Sequence, residues 1–230
     1  MSKVKQDKKI VRKPKISANK LGEYINSSPS RRQKIVKDQK YPKGFIVTRY
    51  NGAKKAIIDY FVKGKGDKKA IESEIKNLIL GSYNTEFRKK DSQLSIKALE
   101  IFVKTNVPSV SEHKTSRLGH NLNKLTIQGV DVSVQPDILI QGSLQGSDFI
   151  GAIKIHISKT HPLTEGSGKY VGVLIHRFLE SNYSEKVRTD FCISLDIFTG
   201  KYFVAPRSFK SLRKDIEAAC NEIRLLWNDL

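Results

Sequence analysis

The spacing of apolar residues predicts helices on both sides of a central β region. In several segments apolar side chains recur every three or four positions, as one face of an amphipathic helix requires. These segments are residues 21–25, 56–61, 71–79, 96–103, 170–178 and 212–227. Pro29 suits the first turn of one further helix, which Pro42 ends because proline lacks the amide hydrogen that the next turn needs.

In the central region the apolar period changes to two, which predicts strands. The predicted strands are residues 125–128, 132–140 and 149–158, with a hairpin of 191–198 and 201–204 and a short extended piece at 45–50. Residues 108–122, rich in Ser, His, Asn and Lys, are expected to form a loop. From residue 94 the order is helix, three strands, helix, two strands, helix, which indicates an α/β fold.

Composition along the chain predicts one main domain with a basic extension. The stretch 62–69 is a basic joint that contains Gly64 and Gly66, and the domain boundary is placed there. The expected organisation is a disordered basic arm at 1–15, a basic, mainly helical module at 16–69 and the main domain at 70–230.

Length and cysteine content restrict the class of protein. The chain has 230 residues and 38% hydrophobic residues, without a continuous apolar run that could span a bilayer or act as a signal peptide. We therefore expect a cytoplasmic protein with no membrane partner. Cys192 and Cys220 lie in apolar patterns, which favours reduced core thiols over a disulfide or a metal site.

The charge of the chain is strongly positive and unevenly distributed. The net charge is +19, and residues 1–70 hold 21 basic and 5 acidic side chains, which leaves 21 and 18 for residues 71–230. A basic field attracts polyanions, and nucleic acid is the commonest in a cytosol. A solubility tail or an anionic-membrane patch is the alternative interpretation.

Basic residues near the N-terminus are interleaved with aromatic residues, as backbone contact combined with base stacking requires. An ordinary charged helix face is the alternative. The candidate nucleic-acid contacts in this part are Arg31, Arg32, Lys34, Lys37, Lys40, Lys43, Arg49, Lys54 and Lys55.

Two neighbouring predicted strands carry the candidate chemistry. Asp137 follows Pro136, and the next strand contains Ala152-Ile153-Lys154. Together with the element order, these residues resemble the PD-(D/E)XK nuclease superfamily over residues 94–205. In that superfamily the core is helix, three strands, helix, strand. The resemblance implies a restriction-endonuclease-like mixed sheet flanked by helices.

The resemblance also implies metal-dependent cleavage of DNA, less often of RNA, by water activated near Mg²⁺, with Mn²⁺ as a substitute. Asp137 matches the metal-binding Asp, and Lys154 matches the Lys that orients water or stabilises the phosphorane. Ala152 occupies the position of the second acidic ligand, whose loss should weaken metal binding severely. A structural ion pair between Asp137 and Lys154 is the alternative.

Further side chains are candidates for the same site. His156 shares a strand face with Lys154, and a hydrogen-bonded strand histidine is the alternative to a catalytic one. Glu100, on the preceding helix, is a candidate substitute acid or a solvent-facing residue. Lys159, Lys169 and Tyr170 surround a Gly-rich turn before a helix and are candidate phosphate contacts.

Two functions follow from these patterns. The first is a nucleic-acid-processing protein with a nuclease-like fold, in which a metal-dependent phosphodiesterase site is altered. The second is a non-catalytic subunit that binds DNA or RNA within a larger nucleoprotein complex, with other proteins as partners. DNA is the favoured nucleic acid in both.

Overall fold

The protein folds as a mixed α/β structure, which confirms the predicted class. A computed structural model describes residues 10–42, 49–64, 66–119, 122 and 124–230. The helices are α1 (Ala18–Ile25), α2 (Pro29–Lys40), α3 (Asn51–Val62), α4 (Lys69–Leu80), α5 (Glu86–Lys104), α6 (Glu165–Asn182) and α7 (Lys210–Asp229). The strands are β1 (Lys15–Ser17), β2 (Lys114–Arg117), β3 (Leu125–Ile127), β4 (Val130–Ser133), β5 (Ile138–Leu144), β6 (Ser147–His156), β7 (Lys186–Asp196) and β8 (Lys201–Val204).

A five-stranded mixed sheet forms the centre, with the strand order β2-β5-β6-β7-β8. β5 and β6 form an antiparallel hairpin, whereas β6 and β7 are parallel and are joined through α6. A parallel pair needs such a crossover because its strands start at the same end of the sheet. A smaller sheet has the order β1-β4-β3.

The two faces of the central sheet bury two separate apolar clusters. Leu139 and Ala152 face a cluster that includes residues of α1, α2, α6 and α7. Ile138 and Ile153 face the other cluster, with residues of α3 and α5. Since side chains alternate along a strand, Asp137 and Lys154 belong to the α6 face.

The N-terminal third contributes to both clusters. Leu21 and Tyr24 of α1 are fully buried on the α6 face, while Ile57 of α3 is fully buried on the other face. The core therefore runs across the predicted boundary at residue 69. Of the predicted basic arm, residues 1–9 lie outside the described part of the chain, and β1 begins at Lys15.

The predicted loop 108–122 and the predicted strand 132–140 need correction, and one strand was missed. The region 108–122 contains β2, an edge strand paired with β5, and its polar sequence gave no alternating pattern. The predicted strand 132–140 is two strands in two sheets, because Gln135 has a φ of 38° and Pro136 cannot donate a ladder hydrogen bond. β1 was missed inside the polar arm, and most of the predicted piece 45–50 lies outside the described residues.

The helix predictions are confirmed, and Cys192 and Cys220 are buried free thiols as expected. Among the described helices, none combines the length and apolar character that crossing a bilayer requires.

Candidate functional site

The sheet register brings Asp137 and Lys154 together. The last paired residues of the β5–β6 hairpin are Ile138 and Ile153, so one further step places Asp137 opposite Lys154. The Asp137 amide donates a hydrogen bond to the Ile153 carbonyl at 2.8 Å, which fixes the chain just before β5. The carboxylate Oδ2 atom accepts from the Ile155 amide at 2.8 Å. The backbone of β6 therefore holds the Asp137 carboxylate in place.

A second lysine, Lys54 of α3, completes the environment of Asp137. Its Nζ atom lies 2.7 Å from Asp137 Oδ1, and the Asp137 side chain is only 11% exposed. The first turn of α3 is positioned by Tyr50, whose amide donates to Asp91 Oδ1 of α5 at 3.2 Å. Both carboxylate oxygens of Asp137 thus have partners within the protein.

Lys154 lies in the wall of the same site. Its ammonium group donates a hydrogen bond to the Gln135 carbonyl at 3.0 Å. Burial lowers the pKa of Lys154 to about 8, and the neighbouring Lys54 charge acts in the same direction, whereas Asp137 opposes the shift. Burial therefore makes the charged ammonium form of Lys154 less favourable in free energy, and a bound anion would stabilise that form.

These side chains line a cavity of about 530 Å³, which we call the lysine cavity. Lys54, Lys124 and Lys154 contribute three ammonium groups, and Asp137 is the sole carboxylate among the described lining residues. Phe178 of α6 supplies part of the apolar wall. With Asp137 neutralised by Lys54, the remaining charge is positive, and the cavity can donate hydrogen bonds to an anion.

The donor set around Asp137 does not fit the Mg²⁺ ion that the resemblance implies. Ala152 is completely buried in the apolar cluster and lies outside the lining of the cavity. Glu100 is exposed on α5 and is also absent from that lining. Throughout the described residues, no three His, Cys, Asp or Glu side chains are grouped so that they could hold a metal ion. Asp137 alone, with both oxygens engaged, is a poor Mg²⁺ ligand.

His156 belongs to a different, smaller cavity of about 100 Å³, between α1 and the start of α6. Its Nε2 atom donates to the His161 carbonyl at 2.7 Å, and its Nδ1 atom accepts from Asn19 Nδ2 at 3.0 Å. Burial lowers the pKa of His156, which favours this neutral form. These contacts agree with the interpretation of a hydrogen-bonded strand histidine.

Several predicted nucleic-acid contacts also have partners within the protein. Arg31 pairs with Glu23, and Lys169 pairs with Glu165 at 2.6 Å. Lys40 donates to the Trp227 carbonyl at 2.7 Å.

Two further candidates join neighbouring elements. Tyr170 donates to Asp215 of α7 at 2.8 Å, and burial together with this contact raises the pKa of Tyr170 to about 12. Arg32 donates to two carbonyls at the end of α1 and to Glu222 of α7. Their donor groups are thus already used.

Most of the remaining candidates are exposed, whereas Lys54 lies on Asp137. Lys43 lies outside the described residues. The exposed candidates are Lys34, Lys37, Arg49, Lys55 and Lys159.

Sequence reasoning missed two members of the lysine cavity. Lys124 follows a region expected to be a loop, and Lys54 was assigned to surface binding rather than to Asp137. No local pattern joins a helix residue to a strand residue 83 positions away, and only the folded chain brings them together.

No protein-family model and no curated protein matches this chain.

Proposed function

We propose that this protein binds the phosphate backbone of nucleic acid, with DNA favoured over RNA, through the lysine cavity of a nuclease-like fold. The observation that carries the proposal is the charge arrangement: three lysines line one cavity, and Asp137, the sole carboxylate among its described lining residues, is paired with Lys54. Ammonium groups bind phosphate oxygens through charge-assisted hydrogen bonds, which are stronger than neutral ones.

The order of elements supports a nuclease-like fold. Within the five-stranded sheet the chain order is helix (α5), three strands (β2, β5 and β6), helix (α6) and a fourth strand (β7). β3, which corresponds to the predicted strand 125–128, and β4 come between β2 and β5 and belong to the smaller sheet. The order within the five-stranded sheet is the core order of the PD-(D/E)XK superfamily. Asp137 and Lys154 also match the positions of that superfamily's metal-binding Asp and its Lys. The fold alone does not define the activity, so we weigh the two candidate functions by the side chains that line the cavity.

A Mg²⁺-dependent phosphodiesterase is the second candidate, favoured by the convergence of Asp137 and Lys154 on one sheet face. It needs a metal at Asp137, where Lys54 lies at 2.7 Å, and it needs a second acidic ligand. Ala152 supplies none and is enclosed in the core. Backbone binding without hydrolysis is therefore the better-supported function.

Exposed basic residues outside the cavity also support nucleic-acid binding. Exposed lysines on α2, on α3 and after β6 add to the field of the cavity. Such contacts release counterions, and the logarithm of affinity should fall with the logarithm of salt by about 0.9 per duplex phosphate contacted.

Fluorescence anisotropy with labelled duplex DNA, single-stranded DNA and RNA in EDTA tests the proposal. The wild type should bind, and Lys154→Met should bind more weakly. The slope of log affinity against log salt concentration should fall in size by about 0.9, the value for one phosphate contact. Lys97→Met, which removes an exposed lysine of α5 outside the cavity, is the matched control and should bind as the wild type does.

A cleavage assay on the same substrates with Mg²⁺ or Mn²⁺ separates the two candidates. Intact substrate would support a binding protein. Metal-dependent cleavage that Asp137→Ala abolishes would favour the phosphodiesterase. Equal binding by the wild type and Lys154→Met would reject the lysine cavity as the site.

A further inference from the structure

The contact between Lys54 and Asp137 places a protein cation on the carboxylate that the nuclease resemblance assigns to a metal. Lys54 comes from α3, on the opposite sheet face from α6, and reaches Asp137 at the beginning of β5. The Lys54 side chain is 39% exposed, so the pair lies at the border of the cavity. A ligand in the cavity would meet this ion pair directly.

A carboxylate as enclosed as Asp137 requires a compensating charge. Removing the cation beside a largely buried carboxylate leaves that carboxylate with an uncompensated charge, which is unfavourable. The Ile155 amide stabilises one oxygen of Asp137, and the other oxygen depends on Lys54. Either an ammonium group or a metal ion could meet this requirement, and the fold provides the ammonium group.

We propose that Lys54 is the resident cation of Asp137, so that phosphate binding in the lysine cavity is independent of divalent metal. This inference rests on the proposed function, and it identifies the cation that neutralises Asp137. It also implies that loss of Lys54 makes the cavity responsive to metal. Mg²⁺ is commonly held by one or two carboxylates together with substrate phosphates, and Asp137 with a bound phosphate would provide that set once Lys54 is gone.

Nucleic-acid binding by Lys54 variants tests this proposal in EDTA and in millimolar Mg²⁺ at equal ionic strength. The wild type should bind equally in both conditions. Lys54→Met should bind at least about tenfold more weakly in EDTA, since Asp137 then repels phosphate, and Mg²⁺ should restore part of the loss. Lys54→Arg keeps the cation and should remain indifferent to Mg²⁺.

Two controls exclude a general charge effect. Lys97→Met loses the same charge outside the cavity and should show no response to Mg²⁺. Lys54→Met/Asp137→Asn lacks both charges and should lose the Mg²⁺ response. Mg²⁺-dependent binding by the wild type, or no Mg²⁺ response by Lys54→Met, would overturn the proposal.

A second measurement replaces nucleic acid by inorganic phosphate, which supplies the oxygen ligands that Asp137 alone lacks. With phosphate present, Mn²⁺ should broaden the Ile155 amide NMR signal in Lys54→Met but not in the wild type or in Lys54→Met/Asp137→Asn. If the wild type binds no nucleic acid but this pattern is found, the proposed function fails while the role of Lys54 stands. Broadening in the wild type, or none in Lys54→Met, would overturn that role.

If Lys54→Met is too unstable to study in EDTA, its stability provides the readout. A metal ion that binds only the folded state raises the melting temperature. In the presence of inorganic phosphate, Mn²⁺ should therefore stabilise Lys54→Met and leave the double variant unchanged, and an equal response of both would contradict the proposal.

Discussion

At the scale of single residues, position 152 is where this chain departs from the nuclease pattern that Asp137 and Lys154 resemble. Ala152 faces Leu139 across the hairpin and Cys192 across the parallel pair, and all three are buried. A carboxylate at this position would enter an apolar core rather than the cavity. The difference from the nuclease pattern therefore lies in the packing around position 152 as well as in the residue itself.

Ala152→Asp should consequently destabilise the protein without creating a metal site. Burying a carboxylate without a partner should cost about 3 kcal/mol or more of unfolding free energy, because charges are poorly solvated in the core. Urea denaturation measures this cost. Ser147→Asp, at an exposed position of the same strand, is the control and should change stability by at most about 0.5 kcal/mol. Mg²⁺-dependent stabilisation of Ala152→Asp would contradict this account.

Lys154 should make nucleic-acid affinity depend on pH. Its pKa of about 8 in the folded protein means that the ammonium charge is lost as pH rises through this value, and affinity should fall. A bound phosphate shifts the midpoint upward because it favours the ammonium form. Anisotropy from about pH 7 to about pH 9, below the range of ordinary lysines, measures the effect. Lys154→Arg stays charged and should lose this pH dependence.

The lowered pKa of Lys154 affects stability in the opposite direction: the free energy of unfolding should rise with pH where nucleic-acid affinity falls. Between about pH 8 and the ordinary lysine value of 10.5, the unfolded chain binds more protons than the folded one. The contribution of Lys154 to stability therefore rises with pH across this window. In Lys154→Met this rise should be absent from the pH dependence of urea denaturation. A rise of equal size in both proteins would assign it to other groups.

At the scale of elements, basic residues on α2 fall into two groups. Arg32 donates to the Tyr24 and Ile25 carbonyls at the end of α1 and to Glu222 of α7, so it connects three helices. Lys34, on the same helix, is exposed. Sequence alone placed both in one nucleic-acid patch, because charge and spacing do not reveal which donors are already used.

Arg32→Met and Lys34→Met should separate these roles. Arg32→Met should lower the unfolding free energy by about 1 to 3 kcal/mol, because carbonyls at the end of α1 lose their donors. Lys34→Met should leave stability within about 0.5 kcal/mol of the wild type and slightly reduce nucleic-acid affinity. Chemical denaturation and anisotropy measure the two effects. An equal loss of stability in both variants would contradict the distinction.

Helices were more predictable than strands, for physical reasons. Each predicted helix has apolar side chains on one face, and Pro29 and Pro42 flank α2 as their missing amide hydrogens require. β2 is a polar edge strand, so no apolar alternation reveals it. Asp137 and Lys154 were identifiable because neighbouring strands align them, whereas the contact of Lys54 depends on long-range packing.

At the scale of the whole molecule, the N-terminal third is a structural part of the fold. Residues 10–42 cover the α6 face through α1 and α2, and α3 covers the other face. Positive charge and core residues thus lie on the same segments. A boundary drawn from composition at residue 69 cannot detect this, because burial depends on partners far away in sequence.

A fragment of residues 70–230 should therefore fail to fold cooperatively. It would expose apolar surface on both sheet faces, and the cost of that exposure exceeds the stability of a typical domain. Thermal unfolding followed by circular dichroism should give a single transition for the full chain and no cooperative transition for the fragment. A fragment that melts as sharply as the full chain would establish an independent domain.

The most direct test of phosphate binding without metal is an experimental structure of the protein with a short DNA oligonucleotide in EDTA. We predict a backbone phosphate in the lysine cavity, within hydrogen-bond distance of Lys154 Nζ, while Lys54 remains on Asp137. A phosphate bound elsewhere, with the cavity empty, would contradict the account. So would a parallel structure in Mg²⁺ with a metal ion at Asp137 of the wild type and Lys54 displaced.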